Sequence, residues 1–460
     1  RSSLGSAALS DVGARRFWPR MGISKHIARE AGVAYQVLRK GVQRKSLEVQ
    51  KELLTAAEAA PARHAVSSIL DVVGRRSGDM DAVNAATALH LLATQPGRRA
   101  ETGISEAPAV RASRELVARV AADPAVQPRD LAISSWSAAR LALEEAGPLE
   151  ALGTAILDAK AVFDGQDVAN IVWAFATLRA ANHEEVLRAM CTRALPAMHD
   201  FAPRHLVGVA WGLASARVYH TEYFEAAARV AEASRASHWV PQDVANFLWA
   251  FAITKCTGVS PMSVVVSHAA KLGWDAFQPQ ELSISMWSAM TMGVADARPV
   301  VHANVQRLLQ HAARQVRNAG AKGFEPRHLT NVAWALARWQ RHCRLTGLRQ
   351  ECKAAVCRPA LRAVAGEASG RLGELNPHEL SRFLWALGSE GCLHLRVLAP
   401  GLVADLRRPG RLSELDVEEL VSVVTVLSWT LERAVWEPKV GQKRHTHPLT
   451  SGRRREHRLV

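Results

Sequence analysis

The chain has 460 residues, of which 48% are hydrophobic and 22% charged, as in ordinary folded proteins. Its formal net charge of +15 favours polyanionic partners, RNA and DNA above all. The composition argues against a membrane-spanning or disulfide-stapled protein. No apolar run approaches the ~20 residues that cross a bilayer, and the six cysteines include no CxxC pair and match no zinc motif.

The first 60 residues are predicted to form a basic N-terminal arm that contains a helical segment. Residues 1–20 are rich in serine and arginine and contain one acid, Asp11. This composition resembles the end of an organelle transit peptide. An ordinary basic arm has the same composition, so the sequence leaves both interpretations open.

Tryptophans recur along residues 61–436 at intervals of 37, 38, 38, 38, 47 and 51 residues. They are Trp136, Trp173, Trp211, Trp249, Trp287, Trp334 and Trp385. Each ends a nine-residue phrase such as PQDVANFLW (Pro241–Trp249), and the phrases begin at residues 128, 165, 203, 241, 279, 326 and 377. Weaker copies without tryptophan begin near residues 80 and 416. A period in the range of about 20–50 residues predicts a stacked repeat array.

The phrase has the composition of a helix start. Counting its first residue as position zero, this position is proline in six of seven copies, and position two is acidic in five. Both residue types suit the first turn of a helix. A turn and a second amphipathic segment follow, and two helices of about 12–15 residues account for the period. We therefore predict an all-α solenoid of about seven to nine helical hairpins over residues 61–436.

The spacing of apolar residues predicts which face of each first helix is buried. Positions three, seven, eight and eleven are mostly apolar and form one stripe, so the tryptophans are predicted to lie in the structural core. Position nine is always small, which would let a neighbouring helix approach closely.

Positions five and twelve are predicted to lie opposite the core stripe, and they vary between copies and are often polar. Variation on one aligned face is what a modular RNA-binding surface needs, although drift on a solvated surface would give the same pattern. The candidate RNA-binding residues are Arg140, Asn170, Thr177, Ser215, Asn246, Thr291, Asn331, Arg338, Arg382 and Ser389.

Basic residues also cluster after Trp334 and in residues 437–460, which are predicted to form a flexible basic tail. Lysine and arginine supply sequence-independent affinity for phosphates, although charge runs often form only a solvated face. The candidates for phosphate contact are Arg341, Arg344, Arg349, Lys353, Arg358, Arg453, Arg454 and Arg455.

Motifs of catalysis are missing from the sequence, which has no GxGxxG after a strand, no GxxxxGK[ST], no HExxH and no GxSxG. The 18 histidines are scattered and form no constellation with carboxylates. The sequence therefore predicts no enzyme, and neither a metal nor a cofactor.

The closest phrases, GQDVANIVWAFA (Gly165–Ala176) and PQDVANFLWAFA (Pro241–Ala252), resemble the octotricopeptide repeat family. They are also similar to the helical repeats of FAST kinase-like proteins and of RNA-editing substrate-binding complex proteins. The resemblance covers roughly residues 80–430. It implies a helical solenoid that binds single-stranded RNA in a mitochondrion or plastid and acts in transcript stability, processing, editing or translation.

Three functions are therefore carried forward. The first is an organellar RNA-binding protein, which works alone or with other proteins of an RNA-processing complex. The second is a structural RNA-binding subunit of a large organellar assembly such as a mitochondrial ribosome. The third is a protein-interaction scaffold without RNA. The inner-face candidates Arg140, Arg338 and Arg382 favour the first two.

Overall fold

A computed structural model describes residues 43–59, 62–95, 106–143, 146–255, 262–293, 299–319, 323–346, 354–368, 370–389, 405–411 and 413–436. These residues form 18 α-helices, numbered here in chain order. The first nine are α1 Gln43–Ala59, α2 Ala62–Arg76, α3 Ala82–Thr94, α4 Glu106–Ala122, α5 Pro128–Arg140, α6 Ala146–Asp158, α7 Gly165–Leu178, α8 His183–Ala194 and α9 Pro203–Ala216. The others are α10 Thr221–Ala233, α11 Pro241–Thr254, α12 Met262–Leu272, α13 Pro279–Met292, α14 Pro299–Ala319, α15 Pro326–Leu345, α16 Ala354–Ala368, α17 Pro377–Ser389 and α18 Val417–Trp436.

The helices stack in two layers. Each odd-numbered helix up to α15 packs against the even-numbered helix that follows it and against the next odd-numbered helix. We call the odd-numbered helices together with α18 the first-helix layer. The even-numbered helices from α2 to α16 form the second-helix layer. Buried apolar side chains form one continuous cluster from Val49 in α1 to Val423 in α18. The predicted all-α solenoid of helical hairpins is confirmed.

The two ends of the chain lie largely outside the described residues. Helix α1 belongs to the segment predicted as a basic arm, and it packs on α2 and α3. The predicted tail, with Arg453, Arg454 and Arg455, lies outside the described part, as do residues 1–42.

The acid at position two closes a capping box at the start of the first helices. Its carboxylate accepts the backbone N–H of the residue just before the helix, at 3.4 Å for Asp167, 3.3 Å for Asp243, 2.8 Å for Glu281 and 3.0 Å for Glu379. Sequence reasoning assigned this acid only to the helix dipole. The hydrogen bond adds a second reason, since it satisfies a donor that the helix leaves unpaired.

Burial makes these carboxylates costly when they are ionised. It raises the pKa of Asp167 to about 7, with a further contribution from the nearby Asp164 carboxylate, and it raises the pKa of Asp130 and of Asp243 to about 6. Because the folded-state pKa lies above the unfolded one, the neutral acid is favoured in the fold. The stability present at low pH is therefore lost as the pH rises through the folded value.

We expect Asp167→Asn to remove the loss of stability that the wild type shows as the pH rises. The asparagine oxygen can still accept the Asp164 N–H, as Asn84 does for the N–H of Asp81 in α3. At pH 8 the variant should be more stable than the wild type by about 1 kcal/mol, and by less at pH 4.5. Urea unfolding at the two pH values measures this difference, and Asp167→Ala, which lacks the acceptor, should show no gain at pH 8.

The two weak flanking copies are shifted slightly from their predicted phrases. In the N-terminal copy the helix begins at Ala82 and not near residue 80, because Asp81 caps it. The residue eight places on is His90, so a histidine occupies the tryptophan position, and its ring lies 5.5 Å from that of Trp136. In the C-terminal copy Asp416 is the cap, since its side chain accepts the N–H of Glu419 at 2.8 Å, and α18 begins one residue later.

Position nine lies where neighbouring first helices approach most closely. A Cβ placed on Gly212 would lie 2.6 Å from Val172 Cγ1 and 3.2 Å from the Val172 carbonyl oxygen. The predicted reason for the small residue is therefore confirmed for α9. Gly165 has a similar role at position zero of α7, where a Cβ would lie 2.7 Å from His205 Nδ1.

The first helices share a second local feature at position fourteen. In five consecutive copies this residue has a positive φ: Ala142, Arg179, Arg217, Lys255 and Gly293. Four of the five lack glycine's freedom in that conformation. The turn into the second helix is thus fixed by the stacking and not by the identity of this residue.

Several arginines join consecutive repeats. Their guanidinium groups donate to backbone carbonyls about one repeat earlier: Arg119 to Met80, Arg193 to Ile156, and Arg371 to Phe324. Part of the large positive charge therefore stabilises the stack, which the composition alone could not reveal.

The longer tryptophan intervals reflect longer helices. First helices α5, α7, α9, α11 and α13 have 13 or 14 residues, whereas α14 has 21 and α15 has 20. Part of the basic cluster after Trp334 thus lies on the C-terminal half of α15.

Candidate nucleic-acid interface

One face of each first helix is left open by its neighbours. Positions three, six, seven and ten are buried against the second-helix layer, as in α11 with Val244, Phe247, Leu248 and Phe251. The adjacent first helices cover both sides. Positions one, five, eight and twelve remain, and at about 100° per residue they fall in one sector of about 60°. We call this sector of the first-helix layer the open face.

The tryptophans at position eight lie at the edge between the open face and the core. Trp136, Trp173 and Trp211 are buried members of the core cluster, as predicted, and Trp249, Trp334 and Trp385 pack against it. The four later tryptophans are only partly buried: Trp249, Trp287, Trp334 and Trp385. Indole surface is thus accessible along α11 to α17.

Ring contacts connect the tryptophans of successive helices. The ring centroids of Trp211 and Trp249 are 6.4 Å apart at an interplanar angle of 31°, and those of Trp287 and Trp334 are 6.4 Å apart at 34°. These separations are within the range for favourable aromatic pairs. The open face therefore carries a ladder of tilted indoles.

Two arginines at position twelve cover tryptophans of their own helices. The guanidinium carbon of Arg140 lies 5.7 Å from the Trp136 ring centre, and that of Arg338 lies 5.1 Å from the Trp334 ring centre. Both arginines are exposed. Each pair places a positive charge directly beside an aromatic surface, in a geometry of cation–π attraction.

The hydroxyl residues at position twelve are half-buried and bonded to their own helices. Thr177, Ser215, Thr291 and Ser389 donate to carbonyl oxygens three or four residues earlier, at 2.8, 2.9, 2.9 and 3.1 Å. Their oxygens can still accept a hydrogen bond, although the donor is used. They lie on the open face as predicted, with less donor capacity than free hydroxyls.

Position five is less open than predicted. Asn170 and Asn246 are only 3% and 4% exposed, so the expectation of a solvated position is wrong for both. Neighbouring first helices lie close enough to cover so short a side chain. Asn331 and Arg382 keep partial exposure. Burial lowers the pKa of Arg382, which the nearby Glu379 and Glu419 carboxylates oppose.

The candidates for phosphate contact divide between the two layers. Arg341 and Arg344 are exposed on α15. Each three-residue step turns about 60° around the helix, so the row that begins at Arg338 winds from the open face toward the side of α15. Arg358 is exposed on α16, in the second-helix layer. Arg349 and Lys353 lie outside the described residues.

Position one is a column that sequence reasoning missed. Its residues lie on the open face two helical turns before the tryptophans, and they are Arg129, Gln166, Arg204, Gln242, Gln280, Arg327 and His378. All keep at least partial exposure, and every one has hydrogen-bonding capacity. The Gln, Arg and His residues of this column were visible in the phrases. Their place on the open face follows only from the observed helical phase.

In the described part of the chain, no helix has both the length and the apolar character to cross a bilayer. No group of three or more His, Cys, Asp or Glu side chains could hold a metal ion in that part. Cys191, Cys343 and Cys357 are buried, and none of the three forms a disulfide.

The fold and the open face define an α-solenoid of stacked helical hairpins with an aromatic and basic surface. The sequence matches no model of a known protein family, and no curated protein matches it.

Proposed function

We propose that this protein holds single-stranded RNA along the open face of its first-helix layer. The observation that supports this best is the row of partly exposed tryptophans on α11 to α17, of which Trp334 lies between Arg327 and Arg338 at positions one and twelve. Bases of a single strand stack on aromatic rings without strong sequence preference, while arginines bind the backbone. Neither requires a deep closed pocket.

The C-terminal half supplies most of this surface. Trp249, Trp287, Trp334 and Trp385 keep accessible indole, and the Arg338–Arg344 edge of α15 adds three exposed charges. In the N-terminal half, Trp173 and Trp211 are covered. We therefore place the main contact on α11 to α17, and not on the regularly spaced repeats alone.

The resemblance to octotricopeptide repeats supports a more specific proposal. Such proteins act on organellar transcripts, so we propose a role in RNA stability, processing, editing or translation in a mitochondrion or plastid. The position-one and position-twelve columns would provide any sequence preference, because they vary between repeats.

A binding titration tests this function. Fluorescence anisotropy with a labelled 20-nucleotide single-stranded RNA should show binding whose affinity falls steeply between 50 and 300 mM NaCl. The triple variant Arg338→Gln/Arg341→Gln/Arg344→Gln should weaken binding about tenfold and reduce the logarithmic salt slope by about 2, since each phosphate contact to a single strand contributes roughly 0.7.

A matched control removes the same charge from the other layer. Arg111, Lys271 and Arg314 are exposed on second helices, and their triple replacement by glutamine should change affinity much less. Equal losses in the two triple variants would show that only net charge matters. A wild-type protein that binds no RNA at 50 mM NaCl would contradict the proposed function.

A second candidate is a structural RNA-binding subunit of a large organellar assembly. It is favoured by an exposed apolar stripe on α18, where Val417, Val421 and Val424 are 76%, 58% and 60% exposed. Such a stripe suits a further protein contact. Co-sedimentation with a ribosomal subunit at 0.5 M salt would support this candidate, and sedimentation only with free RNA would oppose it.

A further inference from the structure

A cavity of about 950 Å³ opens between α9, α10 and α11. It lies where the first helices α9 and α11 begin and the second helix α10 ends. Its volume is at the upper end of the range for small-molecule sites, about 300–1,000 Å³. Residues of all three helices and of the two connecting segments line it. The cavity therefore lies between two repeats and not within one hairpin.

Asn246 brings an unused amide group to this cavity. Its side chain is 4% exposed and lines the cavity, yet no hydrogen bond joins it to another described residue. The same phrase in α7 behaves differently, since Gln166 Nε2 donates to Asn170 Oδ1 at 3.0 Å. The Asn246 amide is thus open to the cavity, where a ligand can supply both a donor and an acceptor.

Positive charge surrounds the same space. Arg204, Arg229 and Arg235 line the cavity, and no carboxylate of the described chain lies within the 4.0 Å of an ion pair with any of them. Two acids also line it. Asp200 lies 3.4 Å from His199, whereas Asp243 accepts the Val240 N–H in its capping box. Arg204 also interacts with the Asp243 carboxylate, so Arg229 and Arg235 contribute most of the positive charge available to an anion.

The two helix starts add to this field. Helices α9 and α11 begin after Ala202 and Val240, neither of which provides a side-chain cap. The positive ends of both helix dipoles lie at the cavity. Their contribution is the dipole field, since the first residue of each helix is a proline without an N–H and the His205 N–H donates to the Ala202 carbonyl oxygen at 2.8 Å.

We propose that this cavity binds one nucleotide, with the phosphate on Arg204, Arg229 and Arg235 and the base edge on the Asn246 amide. An amide that both donates and accepts can pair with the polar edge of a base. The nucleotide can be an unstacked residue of a bound RNA or a free mononucleotide. The first source rests on the proposed function, and the second does not.

Calorimetric titration separates these sources. The probes are the four nucleoside 5′-monophosphates, inorganic phosphate and the labelled 20-nucleotide RNA. At least one nucleotide should bind more tightly than inorganic phosphate does. Asn246→Ile and the double variant Arg229→Gln/Arg235→Gln should each weaken that binding about tenfold. Isoleucine is already found at position five in α5 and α13, as Ile133 and Ile284, so Asn246→Ile should fold normally.

Asn170→Ile is the matched control, because it changes the same position in a repeat where Gln166 Nε2 already donates to the Asn170 oxygen and where the residue does not line the cavity. It should leave nucleotide binding unchanged. If Asn246→Ile also weakens RNA binding, the RNA chain supplies the nucleotide. If it weakens only mononucleotide binding, the source is free.

The inference is overturned if no nucleotide binds at 10 mM, or if inorganic phosphate binds as tightly as every nucleotide. In either case, RNA binding by the wild type leaves the proposed function standing. Conversely, nucleotide binding without RNA binding contradicts the proposed function and supports the cavity.

Discussion

Gly212→Leu is expected to lower the free energy of unfolding by about 3 kcal/mol, at the upper end of typical overpacking costs. Even a single Cβ at this position would lie 2.6 Å from Val172 Cγ1, and 3.2 Å from the carbonyl oxygen of the same residue. A methyl group can be displaced, but a backbone oxygen inside α7 cannot move without the helix. Leucine would therefore force α7 and α9 apart.

The effect should spread along the stack, because each repeat is stabilised by its neighbours. Chemical unfolding followed by circular dichroism should show an earlier and broader transition. Gly74→Leu in α2 is the control, since nothing lies within 4 Å of a Cβ placed there. That change should leave stability equal or slightly higher. A Gly212→Leu protein that unfolds like the wild type would refute the close approach of α7 and α9.

Asp405→Ala is expected to destabilise the C-terminal repeats by about 3–5 kcal/mol, as when a buried ion pair loses one partner. The Asp405 carboxylate is buried and accepts from Arg411 Nε at 2.9 Å and from Arg408 Nη1 at 3.1 Å. Arg411 is also buried and donates to the Leu375 carbonyl before α17. Without Asp405, its charge would remain inside the fold uncompensated.

Hydrogen exchange should locate this effect. Amides of α17 and α18 should lose protection in Asp405→Ala, while those of α3 to α9 keep it. Arg408→Ala is the control, because the Arg408 side chain is 56% exposed and its loss leaves the Asp405–Arg411 pair intact. The double variant Asp405→Leu/Arg411→Met should recover much of the stability. Unchanged exchange in Asp405→Ala would mean that the pair does not hold these repeats.

The architecture was predictable because its cause is local. Proline at position zero recurs in six of the seven copies and the acid at position two in five, and the period fixes the length of the hairpin. These features identified the starts of seven first helices, α5 to α17, to the residue. The two flanking copies were displaced by one or two residues, because Asp81 and Asp416 are cap residues and each helix begins just after its cap.

The orientation of the tryptophans was not predictable from periodicity. A first helix in this stack is covered by the second-helix layer and by a neighbour on each side, so apolar residues occupy most of its circumference. The narrow stripe expected for a surface helix does not exist. Only positions one, five, eight and twelve face away from the neighbouring helices, and the indole at position eight covers part of that face.

Packing decides which of the candidate RNA-binding side chains are exposed and which are covered. Arg140 and Arg338 are long enough to reach solvent beyond the tryptophans, whereas Asn170 and Asn246 are covered by adjacent helices. Distances between neighbouring helices decide this difference, and one sequence does not encode them visibly. The column at position one was overlooked for the same reason as the tryptophans.

Photochemical crosslinking with site mapping tests whether RNA lies on the open face. The full chain is irradiated with a 20-nucleotide RNA containing 4-thiouridine, and the crosslinked peptides are identified by mass spectrometry. We predict that crosslinks concentrate on first helices α11 to α17, at or beside Trp249, Trp287, Trp334 and Trp385. Crosslinks concentrated instead on second helices α12 to α16 would contradict RNA binding by the open face.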